Sequence, residues 1–250
     1  MMNAPHAKII LFIVLVLGLV VSVALNALLF QLATNYYKEA NAIRLNPLGI
    51  YYYPIHPTVK PNAKILVFFG DSRAQAWTSP KNVPFEIVNR GIGTQTSAQV
   101  AARFDYHVTS LRPQVIVVQV CINDLKDIPL FPADKSGIIA RCKVNLKQIV
   151  EQSVQQNSTV VLTTIFPLGR VPLERQLFWS DDVGLAIVDV NAYIKSLASE
   201  RVIIFDSFAI LADNTGAVRA EYQGDLLHIN QAGYNALNSE LERLLVTLAK

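Results

Sequence analysis

The sequence predicts a three-layer α/β/α domain built on a mostly parallel, five-stranded sheet, preceded by one N-terminal transmembrane helix. Three observations carry that expectation. Five short apolar runs rich in β-branched residues recur between residues 64 and 205, and segments of helical length separate them. One long run near the start, Ile9 to Ala33, contains no charged residue. Strands of continuous rather than alternating apolar character suit a sheet covered on both faces. Regular strand–helix alternation implies parallel strands joined by crossovers.

The N-terminal run carries only Ser22, Asn26 and Gln31 as clearly polar side chains. A helix of about 25 residues rises roughly 37 Å, enough to cross a hydrocarbon core of about 30 Å with some tilt. Residues 1–8 read as a short tail and 9–33 as an uncleaved anchor. A cleaved signal peptide competes with this reading, but its apolar region is usually about 7–15 residues and no small-x-small site follows here. Lys8 lies on one side of the run and Lys38 and Arg44 on the other, so basic side chains do not set the orientation. The signal-anchor architecture leads us to expect the domain outside the cytoplasm. Residues 34–62 hold Tyr36, Tyr37, Tyr51 to Tyr53 and four prolines. Proline discourages a continuous helix, and this stretch is expected to be a juxtamembrane stalk leading into a domain over 63–250.

Strands are expected at Lys64–Phe69, Phe85–Asn89, Val115–Cys121, Thr159–Phe166 and Val202–Phe205. Helices are expected at Thr96–Leu111, which runs up to Pro113, and at Ser136–Gln155, Asp181–Ser199 and Asn230–Leu248. In the last, Ala232, Leu237, Leu241, Leu244, Leu245 and Leu248 recur near the helical period. The net charge of +3 is small and the basic residues are scattered, so no nucleic-acid partner is expected. Cys121 and Cys142 are the only cysteines; a disulfide and two buried thiols both fit. No Cys/His pattern has metal-ligand spacing, and nothing sets the oligomeric state.

Four polar fragments sit at strand ends or before the last helix. Gly70-Asp71-Ser72 follows the first strand, where a turn into a helix can hold a serine at the carboxyl edge of the sheet. Asp225-x-x-His228 precedes the final helix, a spacing that lets a carboxylate hold one imidazole nitrogen while the other takes a hydroxyl proton. Asn123-Asp124 follows the third strand, where an amide can donate to an oxyanion. In Asn89-Arg90-Gly91-Ile92-Gly93, glycines can let backbone N–H groups approach a ligand. Each fragment alone also reads as an ordinary turn, cap or surface loop. His6, His56 and His107 lack comparable context.

Together these blocks, in this order, resemble the SGNH or GDSL-type serine hydrolases over about residues 63–249. The resemblance implies a flavodoxin-like fold and hydrolysis of esters or thioesters without metal or organic cofactor. It implies Ser72 as nucleophile, His228 as base and Asp225 as its orienter. An oxyanion hole would come from the Ser72 N–H, the Asn123 side chain and an N–H of the glycine loop, from Gly93 or Thr94. Three positions depart from the family pattern. Thr94 stands where many relatives have another glycine, Cys121 replaces the glycine that usually opens the Asn123 block, and Arg73 replaces leucine. The expected function is a membrane-anchored serine ester hydrolase whose substrate is an ester-bearing lipid or glycan. An O-acyltransferase of envelope glycans and a non-catalytic binding protein are the alternatives. The segment Phe166–Ser180 offers Arg170, Arg175 and Trp179 as cleft residues, with Trp179 alternatively packing into the core.

Overall fold

A computed structural model describes residues 4–54 and 57–249 of the chain. Five parallel strands form one sheet: β1 (Ile65–Gly70), β2 (Glu86–Gly91), β3 (Val115–Gln119), β4 (Thr159–Thr163) and β5 (Val202–Phe205). Their spatial order is β2-β1-β3-β4-β5. The order reverses between β1 and β3, and open α/β sheets bind ligands at the carboxyl ends of strands at such a switch point.

Successive strand residues point to opposite faces, which builds two cores. On one face Val67, Phe69, Ile116, Val118, Val160 and Leu162 pack with residues of α3 (Ser97–Ala102), α6 (Lys135–Gln155) and α7 (Asp182–Ser196). On the other, Leu66, Phe68, Val115, Val117 and Val161 pack with Trp77, with Leu211 of α8 (Ser207–Leu211) and with α9 (Gln231–Leu248). Tyr234, Leu237, Leu241 and Leu245 supply the buried stripe of α9. This is the three-layer arrangement the sequence predicts.

Several boundaries differ from expectation for physical reasons. β3 ends at Gln119 rather than Cys121, because Cys121 takes φ 92°, outside the strand region. β4 ends at Thr163, three residues before Phe166. The helix expected over 96–111 is broken into α3, α4 (Phe104–His107) and a 3₁₀ turn at Thr109–Leu111. The break falls at Arg103, whose backbone leaves helical geometry (φ −97°, ψ 8°) and whose side chain is fully buried.

The N-terminal unit is a single helix, α1 (Ala4–Leu45), of 42 residues. It is long and apolar enough to cross a membrane, with a mean hydropathy of 3.0 in its most apolar stretch. It continues twelve residues beyond the expected anchor end at Ala33 and stops two residues before Pro47, which cannot extend a helix. The compact unit begins at Leu48. The segment read as one stalk over 34–62 therefore divides at Pro47, and its second half packs as part of the domain.

Candidate active site

The turn after β1 is built by three residues. Gly70 has φ 154°, and a β-carbon there would lie 1.7 Å from the Gln119 carbonyl oxygen, so only glycine lets β1 and β3 approach so closely. Asp71 caps α2 (Ser72–Gln75): its Oδ1 accepts from the Arg73 backbone N–H at 2.9 Å. Ser72 is then the first residue of the helix, where backbone N–H groups have no intrahelical partner. Asn89 fixes the other end of α2, donating from Nδ2 to the Ala74 and Gln75 carbonyls at 2.9 and 3.2 Å while its Oδ1 accepts from Gly91 N–H.

Ser72 Oγ lies 2.9 Å from His228 Nε2, across 156 residues of chain. His228 Nδ1 lies 2.9 Å from Asp225 Oδ2 and 3.1 Å from Oδ1. With Nδ1–H donating to the carboxylate, Nε2 is free to accept the Ser72 proton. Asp225 Oδ1 also accepts from the backbone N–H groups of Leu227 and His228 at 2.7 and 2.8 Å. Burial opposes ionisation of Asp225, but the His228 and backbone hydrogen bonds outweigh it and hold the carboxyl below its ordinary range. The loop closes on itself: Gly224 and Asp225 N–H both donate to the His228 carbonyl at 3.0 Å. The His228 and Asp225 side chains remain 38% and 63% exposed.

Asn123 is buried on α5 (Ile122–Leu125), and its Nδ2 donates to the Gln95 carbonyl at 3.0 Å. An amide nitrogen carries two N–H groups, so one remains for a ligand. Gly93 sits beside the turn: a β-carbon there would meet Ser72 Cβ at 3.9 Å and Gln75 Oε1 at 3.0 Å. Thr94 adopts φ 64° and Cys121 φ 92°. Both departures from glycine therefore keep a glycine-like backbone, where a β-branched threonine is a clear outlier.

Three features escape sequence reasoning. Gln95 is buried and joins three segments: its Oε1 accepts from Arg103 Nε at 2.5 Å, its Nε2 donates to the Leu48 carbonyl at 3.0 Å, and its backbone carbonyl receives Asn123. Residues 48–54 wrap the glycine loop, with Tyr53 Oη donating to the Gly91 carbonyl and Arg90 Nη2 to the Pro54 carbonyl. His107 is buried between Arg103 and the Ile50 carbonyl, and burial pushes its pKa down to about 4. The nearest signal in the sequence is the glutamine directly after Gly-Ile-Gly-Thr. His6 lies on the exposed surface of α1, and His56 lies outside the described residues.

Asp124 accepts from the Ser97 N–H and hydroxyl at 2.8 and 2.6 Å. Beside it is a cavity of about 370 Å³ whose walls include Thr96, Asp124, Asp127, Phe131 and Arg141. Trp179 packs against the core, and Arg170 and Arg175 are exposed. Cys121 and Cys142 form a disulfide, with Cα atoms 5.9 Å apart. Among the described residues, no group of three His, Cys, Asp or Glu side chains is placed to hold a metal ion.

A serine, an imidazole and a carboxylate in hydrogen-bonded series beside amide donors can transfer an acyl group. The model of the GDSL-like lipase/acylhydrolase family matches residues 68–236, more than half of the chain. The chain belongs to that family. No curated protein sequence matches it. Among solved structures it is similar to a GDSL-like lipase from Bacteroides thetaiotaomicron, with TM-score 0.58 and 19% identity over 77% of this chain and 92% of that one. It is also similar to a catalytic variant of an acetylxylan esterase from Geobacillus stearothermophilus, with TM-score 0.58 and 17% identity over 76% and 96%. A lipase/acylhydrolase from Enterococcus faecalis matches with TM-score 0.54 and 18% identity over 74% and 96%. At these identities the likeness establishes a shared fold.

Proposed function

We propose that this GDSL-family chain is a membrane-anchored serine esterase that hydrolyses acyl or acetyl esters through an acyl-Ser72 intermediate. The observation that carries the reading is the unbroken series Ser72 Oγ–His228 Nε2 and His228 Nδ1–Asp225, both at 2.9 Å. In the first step Ser72 Oγ attacks the ester carbonyl carbon while His228 takes the hydroxyl proton. The carbonyl oxygen becomes an anion facing the Ser72 N–H, an N–H of Gly93 or Thr94, and the Asn123 amide. Collapse breaks the bond to the alcohol, which leaves with the proton from His228. Water then attacks the acyl carbon with His228 as base, which releases the acid and restores Ser72.

The exposure of His228 and Asp225 leaves the base open to water, the acceptor that the hydrolytic second step needs. α1 supports anchoring, and the Cys121–Cys142 disulfide supports an oxidising location outside the cytoplasm. Turnover of p-nitrophenyl acetate by the purified full-length protein tests the reading. We expect Ser72→Ala to lower kcat by about 10³-fold or more with an unchanged melting temperature. Equal turnover by folded Ser72→Ala would refute it.

A further inference from the structure

Arg73 follows the serine directly, yet its side chain is fully buried. Its Nε donates to the Leu227 carbonyl at 2.8 Å, 154 residues away, and its Nη1 to the Phe166 carbonyl at 3.3 Å, 93 residues away. The guanidinium carbon stands 5.0 Å from the centre of the Phe166 ring, within the range of cation–π attraction. The Arg73 carbonyl is held in turn by the Tyr234 hydroxyl at 3.0 Å. One planar fork therefore ties the serine turn to the segment after β4 and to the loop that carries His228. Burial lowers the Arg73 pKa to about 10 and the buried Asp71 carboxyl opposes that fall, so the group stays cationic at neutral pH.

The loop over 223–229 has little regular structure to hold it. Its strand-like pairing is a single bridge, Gln223 with Ile229; its remaining ties are local hydrogen bonds through Asp225, the His228 carbonyl and Asn230, with Leu226 accepting from Gly169 N–H as an anchor to the rest of the domain. Leu227 is the residue immediately before His228. An apolar side chain at position 73 would leave the Leu227 carbonyl without this donor and the ring without its link to the serine turn.

We propose that Arg73 is a positioning residue for acyl transfer: it clamps the Leu227 carbonyl and so holds the His228 ring at hydrogen-bonding distance from Ser72. The proposal rests on the esterase reading above. A displacement of about 1 Å in such an arrangement can cost on the order of 10²-fold in rate. Leucine fills the volume and removes the donors; lysine keeps the charge but carries its three N–H groups on one nitrogen, without the planar fork whose separate nitrogens reach the two carbonyls.

The test compares full-length wild type, Arg73→Leu and Arg73→Lys. Endpoint labelling with a fluorophosphonate counts competent sites, and kcat and KM for p-nitrophenyl acetate are then expressed per labelled site. We expect Arg73→Leu to lose at least tenfold in kcat with KM within twofold of wild type. Arg73→Lys should lie between the two. A purely structural role lowers the folded fraction but leaves kcat per labelled site at the wild-type value, and that result overturns the proposal. Should Arg73→Leu fail to fold, Arg73→Lys decides alone, and a kcat within twofold of wild type overturns the clamp. Failure of wild-type Ser72 to label would instead remove the esterase reading beneath it.

Discussion

Thr94 and Cys121 each carry a β-carbon where the backbone is left-handed, at φ 64° and 92°. Such a conformation costs an L-residue about 1–2 kcal/mol relative to glycine. The surroundings hold it: Gln95 is tied to Leu48, Arg103 and Asn123, and Cys121 is covalently bound to Cys142. We expect Thr94→Gly to raise stability by about 1 kcal/mol, less whatever the freer unfolded chain takes back, and to leave kcat within threefold of wild type. Denaturant unfolding and ester turnover check this; a destabilised variant would mean that the threonine side chain contributes contacts that outweigh the backbone strain. Both substitutions are visible in the sequence as departures from the family pattern. Their consequence is not, because φ depends on long-range ties that no local pattern encodes.

Helix α2 shows what a short element costs when it is placed at a site. It has one turn and no core stripe of its own, so Asp71 and Asn89 fix its two ends. Asp71 is fully buried, and desolvation outweighs the nearby Arg73 charge and backbone hydrogen bond, raising its pKa to about 6. A carboxyl raised above its unfolded value near 3.9 destabilises the fold as pH rises from about 4 to about 6, since the unfolded chain releases the proton first. Above that window the penalty is constant, on the order of 3 kcal/mol for a shift of about two units. Asp71→Asn keeps a good cap without a charge. Its melting temperature should therefore gain on wild type across pH 4 to 6 and hold that gain above. A difference independent of pH would contradict the assignment. The cap is legible in Gly-Asp-Ser, but its burial is not. The broken 96–111 segment teaches the same lesson: its composition reads as one helix, and a single buried arginine, Arg103, coincides with the interruption.

The whole molecule was legible where local pattern and topology coincide. Five apolar runs and a sheet order that reverses between β1 and β3 bring Ser72 and Asn123 to adjacent strand ends. The loop before α9 then delivers His228. The wrap by residues 48–54 was hidden, because tyrosines and prolines after an apolar helix read equally well as a tether. It means that the Leu48 carbonyl is held by the side chain of Gln95, the residue whose backbone carbonyl receives Asn123. The central claim is that Ser72, activated by His228 and Asp225, is the nucleophile. The most direct measurement is intact-mass and peptide mapping of the full-length protein after reaction with a fluorophosphonate. The account predicts a single adduct on Ser72, absent in Ser72→Ala and formed about 10²-fold or more slowly in His228→Ala. A folded wild type that forms no adduct, or one that is modified on another residue, would contradict it.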